Sequence, residues 1–390
     1  MKILEINSVC GIRSTGRICT DIADTLNSSG HSCKVAYGRE NAPERYNGIS
    51  YRIGSSASVK IDALKTRFFD NAGFNSKSET KKFIRWAKEW NPEIVHLHNL
   101  HGYFVNVEEL FEYLRESQKK VVWTLHDCWA FTGHCSHFAS AGCEKWKDMC
   151  YACPKKKAYP SSLFLDNSQR NFKRKKELFT SLPNVTIVTP SQWLADLVSQ
   201  SFMGKYPIKV INNGIDTTVF KPTYGDFRDR YGLRDKKIVL GVASAWGTGK
   251  GLFDFYRLAK LLDESYKVVL VGLSDEQKRD LPSEIIGITR TNNAKELAEI
   301  YTTSDVFVNP TYCDTYPTVN LEAQACGTPV ITYRTGGSVE SVWEDCIVEQ
   351  GDVEGLKDKI VSGEFSCKED ISFDKSEMIR KYIEVYKQNG

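Results

Sequence analysis

The chain has 390 residues, 41% hydrophobic and 26% charged, with a formal net charge of +3. Those proportions exclude a disordered, fibrous or disulfide-scaffold protein, and the length suits two domains rather than one core. So small a charge gives no reason to expect a nucleic-acid partner.

Short runs rich in Val and Ile alternate with longer segments of helical period, the pattern of βα units around a parallel sheet. In the first half KILEIN, SCKVAYG, EIVHLH, KVVWTL and NVTIVTP read as strands. GRICTDIADTLNSSG, the segment Glu79 to Trp90 and VEELFEYLRESQ read as helices between them. Asn-Asn-Gly in KVINNGIDTTVFKP and the later Pro222 punctuate the midpoint. KIVLGVAS, YKVVLVGL, DVFVNP and TPVITY then repeat the strand pattern, with helices at KGLFDFYRLAKLL, AKELAEIYTT and PTVNLEAQAC. The expected class is α/β with two Rossmann-like domains, residues 1–205 and 206–372. A C-terminal helix over 373–390 is expected to pack back toward the first domain. The N-terminal segment lacks the apolar core of a signal peptide, and no apolar run reaches the roughly 18 residues of a spanning helix, so the expected location is cytoplasmic.

Eight of the twelve cysteines are scattered, most in or beside apolar segments, as buried thiols are: Cys10, Cys19, Cys33, Cys128, Cys313, Cys326, Cys346 and Cys367. The other four, Cys135, Cys143, Cys150 and Cys153, crowd into an insert over about 128–160 with the spacing C-x7-C-x6-C-x2-C. The closing C-x2-C lets two thiolates meet one ion, so structural zinc is expected, with disulfides and free thiols as the alternatives. Four thiolates close a tetrahedron and leave no open catalytic position; Cys128, His134 and His137 are candidate substitutes.

The stretch DTYPTVNLEAQACGTPVITYRTGG, Asp314 to Gly337, places Pro317 at the first position of a helix that follows a buried strand. That helix start lies at the carboxyl end of a parallel strand, where the free N–H groups of Thr318 and Val319 suit an anion such as a diphosphate. Asp314 and Glu322 bracket it, and carboxylates there suit neutral hydroxyl groups. The plainer alternative is a dipole-stabilising Asp314 and a solvated Glu322. In VLGVASAWGTGKGLFDF, Lys250 meets a second helix start, a place for a phosphate. In CGIRSTGRIC, Arg17 and Ile18 stand where a P-loop needs Lys and Ser or Thr, so no P-loop is read; Gly16 is the candidate there, with a packing turn as the alternative. His126 ends the strand KVVWTLH at its carboxyl edge, where a neutral imidazole can bind a sugar hydroxyl, while His98 and His101 end a neighbouring strand. Basic clusters at Lys155 to Lys157 and Arg170 to Lys176 flank a helix assigned Phe164, Phe172, Leu178 and Phe179. This is a candidate face for an anionic membrane, with a core stripe as the alternative.

Glu322, Ala323, Ala325, Cys326, Gly327, Thr328, Pro329, Val330, Gly336 and Gly337 stand in register with a motif of the retaining glycosyltransferases of family 4, which the chain resembles. The resemblance implies the GT-B fold, two Rossmann domains facing a cleft. It implies that Glu322 holds the ribose, that Asp314, where the family usually has Glu, binds donor-sugar hydroxyls, and that Lys250 meets the diphosphate. The family's usual Arg before that lysine is replaced by Ala245 and Trp246. Gly16 and His126 fall beside the reacting sugar. The implied activity is retaining transfer from a nucleotide-diphosphate sugar donor to a glycan or lipid-linked glycan acceptor in surface polysaccharide biosynthesis. No obligatory metal is implied at the reaction centre, and peripheral membrane association is expected. Cys-rich inserts occur in a bacterial polysaccharide subset of the family. A sugar-nucleotide epimerase and a non-enzymatic zinc-containing binding module are the alternatives; an NAD oxidoreductase is disfavoured, since neither half carries G-x-G-x-x-G after its first strand.

Overall fold

The computed structural model describes residues 1–365 and 373–388, so Cys367 and part of the polar stretch before the last helix lie outside the described residues. The chain forms two compact units, Met1–Asn212 with Met378–Gly390, and Asn213–Glu377.

The first unit is built on seven parallel strands: β1 (Lys2–Asn7), β2 (Ser32–Tyr37), β3 (Ser50–Arg52), β4 (Ile94–Leu97), β5 (Lys120–Thr124), β6 (Val185–Thr189) and β7 (Ile208–Val210). Their order is β3-β2-β1-β4-β5-β6-β7, with helices crossing between them. β1, β4 and β5 are almost wholly buried, which is why they read as continuous apolar runs. The edge strands β3 and β7 are three half-buried residues each and carry no such run. Because β7 pairs with β6, Ile187 opposite Ile208, the first unit continues past the boundary expected at 205.

From Met378 the last helix, Lys375–Lys387, belongs to the first unit. Ile379, Tyr382 and Tyr386 pack with Ile18 and Ile22 of helix Arg13–Ser28 in one core cluster. Lys120 Nζ meets the exposed carbonyls at the helix end, Val385 O at 2.7 Å and Tyr386 O at 3.1 Å, where a cation complements the helix dipole. The tyrosine hydroxyls reach the sheet: Tyr382 bonds Thr124 Oγ1 at 3.0 Å and Tyr386 bonds His96 Nδ1 at 2.7 Å.

The second unit has six parallel strands: β8 (Lys237–Val242), β9 (Tyr266–Val271), β10 (Ile285–Ile288), β11 (Val306–Asn309), β12 (Val330–Tyr333) and β13 (Ile347–Val348), ordered β10-β9-β8-β11-β12-β13. The order reverses between β8 and β11, so the loops after these two strands share the switch point where α/β sheets bind ligands.

Two local expectations change. Helix Thr318–Ala325 starts one residue late, with Pro317 as an extended cap (φ −71°, ψ 119°) rather than its first residue. Phe164 precedes helix Ser168–Phe179, while Phe172 and Phe179 are fully buried, so that helix has no exposed aromatic face. Lys175 is buried as well, with Nζ donating to Trp129 O and Thr132 O.

The Tyr386 hydroxyl is the hydrogen-bond partner of His96 Nδ1. Tyr386→Phe is therefore expected to lower unfolding free energy by about 1–3 kcal/mol, the cost of an unsatisfied buried nitrogen, as read by urea denaturation.

Candidate active site

In the second unit the two loops at the switch point are fastened to each other. Tyr312 N–H donates to Gly249 O at 3.0 Å and Thr311 Oγ1 to the same carbonyl at 3.3 Å. Gly251, at φ +72°, lies so close that a Cβ would stand 2.3 Å from Pro310 O. Lys250 then reaches across, its Nζ 2.6 Å from Asp314 Oδ2. The backbone of Asp314 is gripped from the other side. Its carbonyl accepts from Gly337 N–H at 3.1 Å, and a Cβ on Gly336 (φ +50°) would stand 2.1 Å from that same oxygen. The Gly-Gly pair closing the sequence motif is thus a seat for the Asp314 carbonyl.

Thr318 and Val319 open helix Thr318–Ala325 immediately beyond this junction, both half-buried, with N–H groups for which the helix supplies no acceptor. Behind them Asn320 is fully buried and fixed on both sides: it accepts from Asn309 Nδ2 at 2.8 Å and donates to Ser341 Oγ at 2.9 Å. Glu322 is buried, with Tyr301 OH donating to its Oε2 at 3.2 Å. It is not the solvated helix residue of the plainer alternative. Lys250, Asp314, Thr318, Val319 and Glu322 therefore belong to one neighbourhood built by two loops and one helix start.

In the first unit His126 follows β5 and His98 follows β4. Their rings stack at 5.3 Å, with His98 Nδ1 3.0 Å from His126 Nε2. The other His98 nitrogen, Nε2, lies 3.4 Å from Oε2 of Glu5, a fully buried residue of β1. Burial pushes the Glu5 carboxyl well above its usual range, partly offset by a hydrogen bond with Cys19. Burial lowers His98 well below its usual value and holds His126 down to about 4, against the pull of Asp127. The 3.4 Å approach of Glu5 to His98 Nε2 is not a hydrogen bond, and that nitrogen is buried without a hydrogen-bond partner, while one neutral ring donates to the other across the His98–His126 contact. The burial of Glu5 beside His98 is not visible in the sequence, whose one signal is an acid inside an apolar strand.

Glu5, His96 and His98 have donor atoms within 4.8 Å of one another, the sole such group of three among the described residues. His96 is committed on both nitrogens, to Tyr386 and to Thr124 Oγ1 at 2.8 Å, so it has no nitrogen left for an ion, while the Glu5 carboxyl oxygens and His98 Nε2 are buried without an N–H or O–H partner. Gly16 lies within helix Arg13–Ser28 and not at its opening; a Cβ there would touch Val9 Cγ2 at 3.0 Å, so its role in the fold is to let the loop close over the helix.

The insert after His126 is anchored to this region. His101 bonds Asp127 Oδ2 through Nε2 at 2.6 Å and Tyr159 OH through Nδ1 at 3.1 Å. Burial opposes ionisation of Asp127, but the His101 pairing prevails and holds its carboxyl down to about 2. Cys135, Cys143, Cys150 and Cys153 all line one small pocket, walled by Phe138 and Trp146 and with His134 at its edge. Cys135 and Cys153 share a hydrogen bond, which favours a thiolate at Cys153, and Cys150 Sγ accepts from Gly133 N–H at 3.2 Å. No disulfide links them.

The family model "Glycosyltransferase Family 4" matches residues 15–219, more than half of the chain, and "Glycosyl transferases group 1" matches 236–362. The chain belongs to glycosyltransferase family 4. It is 24% identical to the "Putative colanic acid biosynthesis glycosyl transferase WcaC" of Escherichia coli K12, over 99% of both chains. In three dimensions this glycosyltransferase is similar to the sucrose-phosphate synthase of Thermosynechococcus elongatus, with a TM-score of 0.74 at 14% identity, over 99% of this chain and 98% of that one. It is also similar to HepE of Anabaena, solved with UDP and glucose, with a TM-score of 0.69 at 15% identity over 99% of each. These likenesses show the GT-B architecture of two Rossmann-like units. Among the described residues no helix is long and apolar enough to cross a membrane.

The neutral histidines give stability a definite pH dependence. A native pKa near 4 against roughly 6.5 unfolded means the unfolded chain binds more protons as pH falls below about 6.5, so stability drops there. For His126 alone the loss between about pH 7.5 and about pH 5 is about 2 kcal/mol, checked by denaturant melts across that range. Separately, Gly336→Ala is expected to displace Asp314 and lower the melting temperature at every pH.

Proposed function

We propose that this glycosyltransferase moves a sugar from a nucleotide-diphosphate donor to a glycan or lipid-linked glycan acceptor, with retention at the anomeric carbon, in surface polysaccharide biosynthesis. The observation that carries the donor reading is the junction at which Lys250, Asp314 and the N–H groups of Thr318 and Val319 meet. A diphosphate leaving group gathers negative charge as its bond to the sugar breaks. One cation and two helix-start N–H groups, held by fastened loops, stabilise that charge without reorganisation. Buried Glu322, one helical face further on, accepts from ribose hydroxyls. Asp314 accepts from hydroxyls of the donor sugar, and its ion pair with Lys250 keeps the lysine extended before a donor arrives. In the first unit the neutral His126 ring hydrogen-bonds a sugar hydroxyl, and Gly16 keeps the neighbouring loop close to the helix. No metal takes part at the reaction centre in this reading. The colanic-acid relative and the UDP complex of HepE support the polymer class and the donor class respectively.

Incubation with UDP-, GDP-, ADP- and dTDP-sugars is expected to raise the melting temperature with one of them; a response to none overturns the donor reading. Lys250→Ala and Glu322→Gln are each expected to lower kcat/KM by roughly 10²–10³-fold, and NMR of the product is expected to show the donor's anomeric configuration. An inverted product overturns retention and leaves the donor site standing.

For the insert we propose one structural zinc ion held by Cys135, Cys143, Cys150 and Cys153. The shared pocket supports this: all four cysteines line one space and the Gly133 N–H is already aimed at the Cys150 sulfur, while no three of the sulfurs lie within 4.8 Å of one another, so binding the ion draws them together. Elemental analysis of the purified chain is expected to find about one equivalent of zinc, and less than about half an equivalent overturns the assignment.

A further inference from the structure

Helix Ser56–Phe69 is built inside out. Its buried positions are Asp62 and Thr66, polar residues one turn apart. Asp62 accepts from Ser76 Oγ at 2.5 Å, Asn75 Nδ2 at 3.0 Å and Thr66 Oγ1 at 3.3 Å, so the inward face is held by hydrogen bonds. The outward face carries Ile61, Leu64 and Phe68, at the three- and four-residue spacing of one helical stripe, and Leu64 is 56% exposed. A helix facing only water gains nothing from that arrangement; the usual order is the reverse.

The neighbouring loop extends the stripe. Leu163, Phe164 and Leu165 are exposed in succession, Phe164 at 62%, and the Phe164 ring stacks on Phe68 at 5.2 Å. Leu163 N–H donates to Arg67 O at 2.8 Å and Asn167 Nδ2 to Phe69 O at 2.7 Å, which fixes loop and helix as one surface. Singly scattered apolar residues need no explanation, but a contiguous patch does.

Its rim is basic. Lys60, Lys65 and Arg67 are exposed on the helix, and Lys155, Lys156 and Lys157 lie on the segment behind the loop, with Lys156 Nζ donating to Phe164 O at 3.1 Å. The acids here are spent locally: Asp62 is buried, and Asp166 accepts from the N–H groups of Cys153 and Ser168. An apolar centre ringed by uncompensated cations matches an anionic bilayer, with acyl chains for the centre and acidic headgroups for the rim.

We propose that the Ser56–Phe69 helix and the Leu163–Leu165 loop form a docking surface for an anionic lipid membrane, on which the first unit lies without spanning it. This surface replaces the Ser168–Phe179 helix, whose aromatic residues are core. The proposal does not depend on the donor chemistry.

The test is co-sedimentation of the purified full chain with vesicles of phosphatidylcholine, with and without phosphatidylglycerol. The comparison is a variant carrying Ile61→Ser, Leu64→Ser and Phe68→Ser. The wild-type chain is expected to sediment with the phosphatidylglycerol vesicles and to be released by added salt, and the triple variant to lose binding roughly tenfold or more. The substituted side chains are exposed, so melting temperature and far-UV circular dichroism are expected to match the wild type. A second variant, Lys155→Glu with Lys157→Glu, is expected to weaken binding while leaving that apolar stripe intact. Wild-type protein that stays in the supernatant with both vesicle types overturns the proposal, as does equal binding by the triple variant. A wild-type dimer in light scattering that the triple variant converts to monomer also overturns it, because the patch is then an interface between copies.

Discussion

The second unit's site depends on a backbone approach that tolerates no side chain. The Asp314 carbonyl sits against Gly336 and Gly337 while, on the other loop, Gly251 touches Pro310 O. These contacts bring the loops after β8 and β11 within reach of each other, and only then does Lys250 meet Asp314. The helix start at Thr318 inherits its position from the same junction and from Asn320, pinned between Asn309 and Ser341. Charge, helix N–H groups and a buried carboxylate are thereby arranged by packing that exists before any ligand binds. Preorganisation of this kind is what makes such groups effective toward developing charge.

The first unit pays for a different device. Glu5, His96 and His98 stand inside a parallel sheet whose neighbours are Ile, Leu and Val, and burial of such groups in their charged forms is costly. Burial favours their neutral forms, pushing the carboxyl up and the imidazoles down. Tyr382 and Tyr386 of the last helix satisfy Thr124 and His96, so a segment that is remote in sequence supplies partners to polar groups inside the sheet.

The surface of that unit shows where pattern reading misleads. Aromatic and basic residues in Arg170 to Lys176 read as an amphipathic face, yet Phe172 and even Lys175 are interior, because Trp129 and Thr132 of the insert loop supply carbonyls for the ammonium group. The apolar face that is exposed belongs to a helix whose polar residues turn inward to one another. Periodicity identifies the two faces of a helix, but it does not tell which one faces solvent when buried polar groups can satisfy each other.

The sequence by itself determined the α/β class, the long buried strands, the repetition of a Rossmann pattern and the family motif from Asp314 to Gly337. It could do so because apolar runs, helical period and glycine punctuation are local properties. The three-residue edge strands, the one-residue shift at Pro317 and the extension of the first unit through β7 escaped it, since pairing with a neighbour rather than composition defines them. Motif residues were legible one by one; that Lys250 and Asp314 pair, that Glu322 is buried, and that His98 bonds His126 were decided by tertiary structure alone. Those facts are distances between residues far apart in the chain, and they arise only when the strands bring their ends together.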